Sequence, residues 1–154
     1  KHHFAHSIID HQLKEHAMRK MYLAVVSGQL ADDHGWLDQP IGRAADSFIK
    51  RTVTPDGRAS LTEYWVVKRL PEMTVVRVRL HTGRTHQIRV HFAAAGHPLI
   101  GDELYGGPAN PAIDRQALHC MQLQFYDPFI EQDLTTFAPL PADLARLINF
   151  EATD

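Results

Sequence analysis

A single cysteine, Cys120, is all the thiol in this 154-residue chain. That excludes an intrachain disulfide and fits a reducing compartment. No apolar run approaches the roughly 18–20 residues needed to cross a bilayer. The opening KHHFAHSIID does not read as a secretory leader, so the cytoplasm is the expected location and no membrane partner is expected. Internal repeats, low-complexity tracts and linkers are missing too. With 44% apolar and 22% charged residues, the chain reads as one soluble domain with one core. Eleven histidines raise the question of a metal, but none forms HExxH. His81, His86 and His91 are spaced by five, which does not place neighbours on one helix face, so no metal site is expected.

The net charge is −2, which by itself does not favour a polyanionic partner. Its distribution is uneven. Between Gly42 and Val90 ten Lys/Arg outnumber four acids, whereas from His91 onward two arginines face nine acids. A basic face and an acidic back follow from that segregation.

Periodicity supplies the elements. Phe4, Ala5, Ile8, Ile9, Leu13 and Ala17 mark one face of an amphipathic helix. Met21 to Val26 reads as a buried strand, and Trp36 to Arg43 as an extended segment that Pro40 places at a sheet edge. Residues 44–60 are the least regular, with Pro55-Asp56-Gly57 a turn. Thr62 to Arg69 and Thr74 to His81 form a hairpin across Leu70-Pro71-Glu72. In its second strand Val76, Val78 and Leu80 face one way and Val75, Arg77 and Arg79 the other. Leu118 to Tyr126 and Leu134 to Phe137 read as further strands, and Pro141 to Phe150 as a terminal helix.

The most informative stretch is Leu80 to Gly107, LHTGRTHQIRVHFAAAGHPLIGDELYGG. Thr85 is placed to cap a helix whose apolar face is Ile88, Phe92 and Ala95, and Gly96 suits its left-handed end. Arg84 precedes the helix and Arg89 lies within it. From position and charge alone, two such arginines read as phosphate docking or a solvated face.

The residues Gly83 to Arg89, followed by Gly96-His97-Pro98-Leu99 and by Gly101, Asp102, Tyr105 and Gly106, resemble the signature of the RluA-type (ribosomal large-subunit) RNA pseudouridine synthases. In that family GR(T/S)HQ(I/L)R precedes GHP(I/L)xGDxxYG. The likeness extends to Lys20, Tyr22, Ala24, Val26 and Gly28 in a K-x-Y-x-A-x-V-x-G segment. Pro40 to Arg43, the LHC at Leu118 to Cys120 and the APLP at Ala138 to Pro141 continue it. The resemblance implies an α+β fold, a mixed and largely antiparallel sheet flanked by helices. It also implies isomerisation of uridine to pseudouridine in ribosomal or transfer RNA, without cofactor or metal.

The resemblance assigns roles as well. Arg89 matches the arginine that pairs with the nucleophilic aspartate, and Tyr22 the tyrosine that stacks on the base. Leu99 or Ile100 supplies the apolar wall of the uracil pocket, while Lys20, Arg84 and His86 are phosphate-contact candidates. One departure is large. The nucleophile belongs to an H-R-L-D-x-x-T-S-G motif, and no such motif occurs in these residues; neither Asp10 nor Asp102 has its flanks. The expectation is therefore that residues 1–154 form the C-terminal part of a single catalytic domain. Such a chain would be inactive alone, with Arg89 lacking its carboxylate and an open sheet edge promoting self-association. The alternative is an RNA-binding module that kept the fold and lost catalysis.

Overall fold

The computed structural model describes Ser7, residues 10–12 and residues 18–149. The apolar positions that predict the opening helix lie outside these residues, as does Phe150. In chain order the elements are β1 (Arg19–Ser27), β2 (His34–Leu37), β3 (Ile41–Arg43), β4 (Arg51–Val53), β5 (Thr62–Leu70), β6 (Met73–Leu80), α1 (Gln87–Ala94), a single 3-10 turn (Glu103–Tyr105), β7 (Leu118–Asp127), β8 (Gln132–Phe137) and α2 (Ala142–Leu147).

Six strands form one sheet in the order β2-β5-β6-β1-β7-β8, and every pairing in it is antiparallel. The expected α+β class with a largely antiparallel sheet is the one observed. The β5–β6 hairpin closes through Pro71 and Glu72, with Leu70 opposite Met73. The extended segment Trp36 to Arg43 is two strands rather than one. β2 takes an edge of the main sheet, and β3 breaks away after Pro40 to pair with β4 in a small sheet of its own. Proline lacks the N–H that a central ladder needs, so the break falls where the ladder is dispensable.

Alternation along the strands divides the core in two. Tyr22, Ala24, Val26, Val76, Val78 and Leu80 share the side covered by Ile88 and Phe92 of α1, together with Leu99. Leu23, Val25 and Val75 share the other side, covered by Ile100, Ile113 and by Leu144 and Leu147 of α2. The side carrying Arg77 and Arg79 is thus only partly open, because Val75 on the same strand lies beneath α2. Arg77 is exposed and sits 5.0 Å over the Trp65 ring.

The uncovered part of that side is organised by Glu63. Its carboxylate accepts hydrogen bonds from His34 Nε2 at 2.9 Å and from His81 Nε2 at 2.8 Å. Three strands, β2, β5 and the end of β6, are clasped by this one buried acid. His34 stacks on Trp65 at 5.3 Å, and Trp36 tilts over His81 at 5.2 Å. Burial pushes the Glu63 carboxyl up, but the two histidine hydrogen bonds and their charge outweigh it and hold the group below its ordinary value. A carboxyl with a lowered folded pKa stabilises the fold above its unfolded value, and that contribution is lost as pH falls through the folded value. Glu63→Gln should therefore flatten the acid side of the stability–pH curve and cost about 1–3 kcal/mol near neutrality. Urea unfolding across pH 3–7 reads it, and an unchanged acid limb would remove Glu63 from that role.

Candidate active site

Tyr22 lies in β1, between β6 and β7, opposite Val78 on one side and Cys120 on the other. The β1–β7 register shifts between Met21 and Tyr22. Irregularities of this kind re-aim a side chain next to a site. Beside it lies a cleft of about 340 Å³, lined by Met18, Lys20, Tyr22, Leu80, His81, Thr82, Gly83 and Arg84. Three residues expected at the site, Lys20, Tyr22 and Arg84, are thereby brought around one opening. Burial, and then the neighbouring Cys120, push the Tyr22 hydroxyl up to about 12. At neutral pH it carries its proton and can donate it.

The turn that closes this cleft is held by Gln87. Its Oε1 accepts from Thr82 Oγ1 at 2.8 Å and from the Arg84 N–H at 2.9 Å. Its Nε2 donates to the Leu61 carbonyl at 3.1 Å and to Thr62 Oγ1 at 3.0 Å. Thr85 does not cap the helix as the sequence predicts. The residue before α1 is His86, in the left-handed region at φ 57°, with no side-chain cap. Gln87 takes over the work by binding the turn from inside the first helical residue. Such a φ costs a non-glycine residue about 1–3 kcal/mol, and histidine is among the side chains that tolerate it. Gly96, at φ +83°, ends the helix as expected.

His86 is turned toward Tyr105. Its Nδ1 accepts from the Tyr105 hydroxyl at 2.8 Å, while that oxygen accepts from the Arg51 N–H at 3.0 Å. Burial, and next the Arg89 charge, lower the His86 pKa. The neutral ring so favoured is a weaker phosphate contact than Lys20 or Arg84.

Arg89, one turn on, does not lack a carboxylate. Its Nε and Nη2 donate to Asp102 Oδ2 and Oδ1, both at 2.7 Å. The guanidinium also lies 4.8 Å over the Tyr105 ring. Asp102 is 1% exposed and is aimed by the loop that GHPLIGDELYGG encodes. Gly101 turns the chain at φ +73°, where a Cβ would collide with the Arg115 carbonyl. The Asp102 carbonyl then accepts from the Gly107 N–H at 2.8 Å. The Asp102 hydrogen bond, more than the opposing burial, raises the Arg89 pKa. The expectation that Arg89 lacks a carboxylate is corrected by this fork. The sequence carried the signal, since Asp102 and Tyr105 both stand in the motif, but their contact with Arg89 depends on how the loop folds back.

Leu99 and Ile100 are both buried, on opposite sides of the sheet. Leu99 packs in the cluster that Tyr22 borders, whereas Ile100 packs against Val25 and α2. Alternation separates them, so Leu99 is the one on the Tyr22 side. The histidines spaced by five also diverge. His81 binds Glu63, His86 binds Tyr105, and His91 Nε2 donates to the Gln39 carbonyl at 2.8 Å while Nδ1 accepts from Thr62 Oγ1 at 2.8 Å. Among the described residues no group of three or more His, Cys, Asp or Glu side chains could hold a metal ion, and no helix is long and apolar enough to cross a membrane.

The sequence model of the family described as RNA pseudouridylate synthase matches residues 1–94. The chain belongs to that family. It is 48% identical over 151 residues to the uncharacterized RNA pseudouridine synthase YjbO of Bacillus subtilis, covering 98% of this chain and 53% of that protein. It is 37% identical over 155 residues to ribosomal large subunit pseudouridine synthase D of Haemophilus ducreyi, covering 92% of this chain and 47% of the relative. The chain thus spans about half the length of these pseudouridine synthases. Among solved structures, human RNA pseudouridylate synthase domain containing 1 superposes with a TM-score of 0.74 at 26% identity, over 86% of this chain and 58% of that one. The domain-containing 4 protein superposes at 0.76 and 20% identity, over 97% and 67% respectively, and shares the fold.

The fork between Arg89 and Asp102 has a measurable weight. Removing one partner of a buried pair leaves the other charge uncompensated and costs about 3–5 kcal/mol. Asp102→Ala should show that loss in urea unfolding. A loss below about 1 kcal/mol would mean that water replaces the carboxylate.

Proposed function

We propose that the protein containing this chain isomerises uridine to pseudouridine in structured RNA. In this reading residues 1–154 are the C-terminal part of its catalytic domain, and the nucleophilic aspartate lies outside them. The observation that carries the proposal is the cleft in which Lys20, Tyr22 and Arg84 meet, in a chain of this family. A uracil ring against Tyr22 would gain about 1–3 kcal/mol from stacking, with Leu99 in the apolar layer behind. Lys20 and Arg84 would neutralise the flanking phosphates.

The reaction breaks the bond from ribose C1′ to uracil N1, turns the base, and forms a bond from C1′ to C5. The proton on C5 leaves, and N1 ends protonated. A carboxylate nucleophile splits this exchange into easier steps. Arg89 is suited to aim one. Its Nε edge belongs to Asp102, and its Nη1 has no partner among the described residues. Tyr22, protonated at neutral pH, is a group in this cleft that can handle a proton of the base.

Ribosomal RNA is the favoured substrate class, because relatives carry ribosomal large subunit names, with transfer RNA next. The expected location is the cytoplasm. Self-association would run along an open edge such as β8, where Phe137 is 69% exposed, and sedimentation at several concentrations reads it. The second reading, an RNA-binding module without catalysis, draws on the same fork, because Asp102 already satisfies one edge of Arg89.

RNA labelled with tritium at uracil C5 distinguishes the two readings. The protein containing this chain should release tritium to water, while the 154-residue chain alone should release none. Tyr22→Phe in the active protein should keep RNA affinity and lose about 10²–10⁴ in rate. The step Tyr22 serves should stay insensitive to its ionisation until pH approaches 12. Normal turnover by Tyr22→Phe would confine the ring to stacking, and no release by the longer protein would favour the binding module.

A further inference from the structure

A second hollow, of about 450 Å³, opens beside the Tyr22 cleft and shares Gly83 and Arg84 with it. Among the described residues its walls carry four guanidinium groups, on Arg43, Arg51, Arg58 and Arg84, and one acid, Asp56. Among the described residues none of the four is in an ion pair, whereas Arg69, Arg89 and Arg115 each hold a carboxylate.

The backbone forces these charges together. The β3–β4 register sets Arg43 directly opposite Arg51, and like charges facing across a ladder are destabilising. On the other side of β3, Ile41 and Arg58 exchange backbone hydrogen bonds of 3.0 and 2.9 Å. That approach needs Gly57, because a Cβ there would lie 2.6 Å from the Ile41 carbonyl carbon. Arg84 is fixed from the turn by its Nε, which donates to the Ala59 carbonyl at 3.1 Å and leaves its outer nitrogens without partners among the described residues. Arg51 Nη1 makes only long contacts to carbonyls, at 3.4 and 3.5 Å. Arg43 and Arg58 make no side-chain hydrogen bond among the described residues and are exposed.

We propose that this hollow binds phosphate groups of the RNA backbone, gripping the strand next to the nucleotide held at Tyr22. The inference rests on the RNA reading above. No aromatic ring among the described residues lines the hollow, so its chemistry is that of a polyanion's phosphates rather than its bases. Guanidinium groups suit it because each can fork two N–H bonds onto one phosphate. Such contacts position a strand without reading its sequence.

The test is the salt dependence of binding of a uridine-containing RNA hairpin, followed by fluorescence anisotropy. Each lost phosphate contact lowers the slope of log K against log salt by about 0.7–0.9. Arg43→Gln/Arg58→Gln should reduce it by about 1.4–1.8 and raise Kd roughly tenfold or more near 0.1 M salt. Its melting temperature should be unchanged or higher, since a facing like charge is removed. Lys68→Gln/Arg146→Gln, which deletes the same charge elsewhere, should leave the slope intact. Arg43→Lys should retain it. If the hollow variant keeps the wild-type slope while Lys20→Gln loses it, this inference is overturned and the cleft reading stands. Equal losses in the hollow and control variants would likewise overturn it, since bulk charge would then explain the effect. Absence of RNA binding by the wild type would overturn both.

Discussion

The buried fork between Arg89 and Asp102 ties the helix of one motif to the loop of the next, and much of the site's geometry depends on it. Arg89 is on α1, which Gln87 and His91 fasten to β5 through Thr62. Asp102 is on the loop after Leu99, which carries Tyr105 back over the guanidinium. Tyr105 then reaches His86 at the helix start and the Arg51 N–H on β4. Helix, loop and small sheet therefore share one set of polar contacts. In a low-dielectric setting such a set is stable only when complete. Completeness is what the structure has, since no buried side-chain nitrogen or oxygen among the described residues lacks a partner.

Much of this was legible in the sequence, for identifiable reasons. Alternating Val76, Val78 and Leu80 against Val75, Arg77 and Arg79 fixed both faces of β6, because a pleated strand permits one assignment. Pro71 with its neighbours located the hairpin, and Gly96 the helix end. The motif at Gly83 to Arg89 marked the family, and with it a candidate site, because its residue types and spacing are specific together.

What was not legible depends on contacts distant in the chain. Nothing local says that Asp102 turns back onto Arg89, thirteen positions earlier, or that Glu63 gathers His34 and His81. Thr85 satisfies every local rule for a cap, yet the turn is held by Gln87, whose partners Leu61 and Thr62 lie more than twenty positions away. Leu99 and Ile100 are neighbours in the chain and both apolar, so only the position of the sheet separates them. Local propensity places elements, and the sheet decides which side chains meet.

The charge pattern takes its meaning from the same logic. A net charge of −2 describes the chain poorly, because the acids and bases do not mix evenly in space. Arg115 is held by Asp143 in the later half of the chain, where acids are abundant, and Arg89 is neutralised within the protein. The arginines around β3 and β4 have no such partner among the described residues, and the ladder holds two of them face to face. Folding alone gives no reason to keep that arrangement, since pairing either arginine with an acid would stabilise the hairpin. A surface that concentrates one sign of charge at a cost to itself gains only when an opposite charge arrives. Its place beside Tyr22, through the shared Gly83 and Arg84, sets that charge next to the Tyr22 cleft.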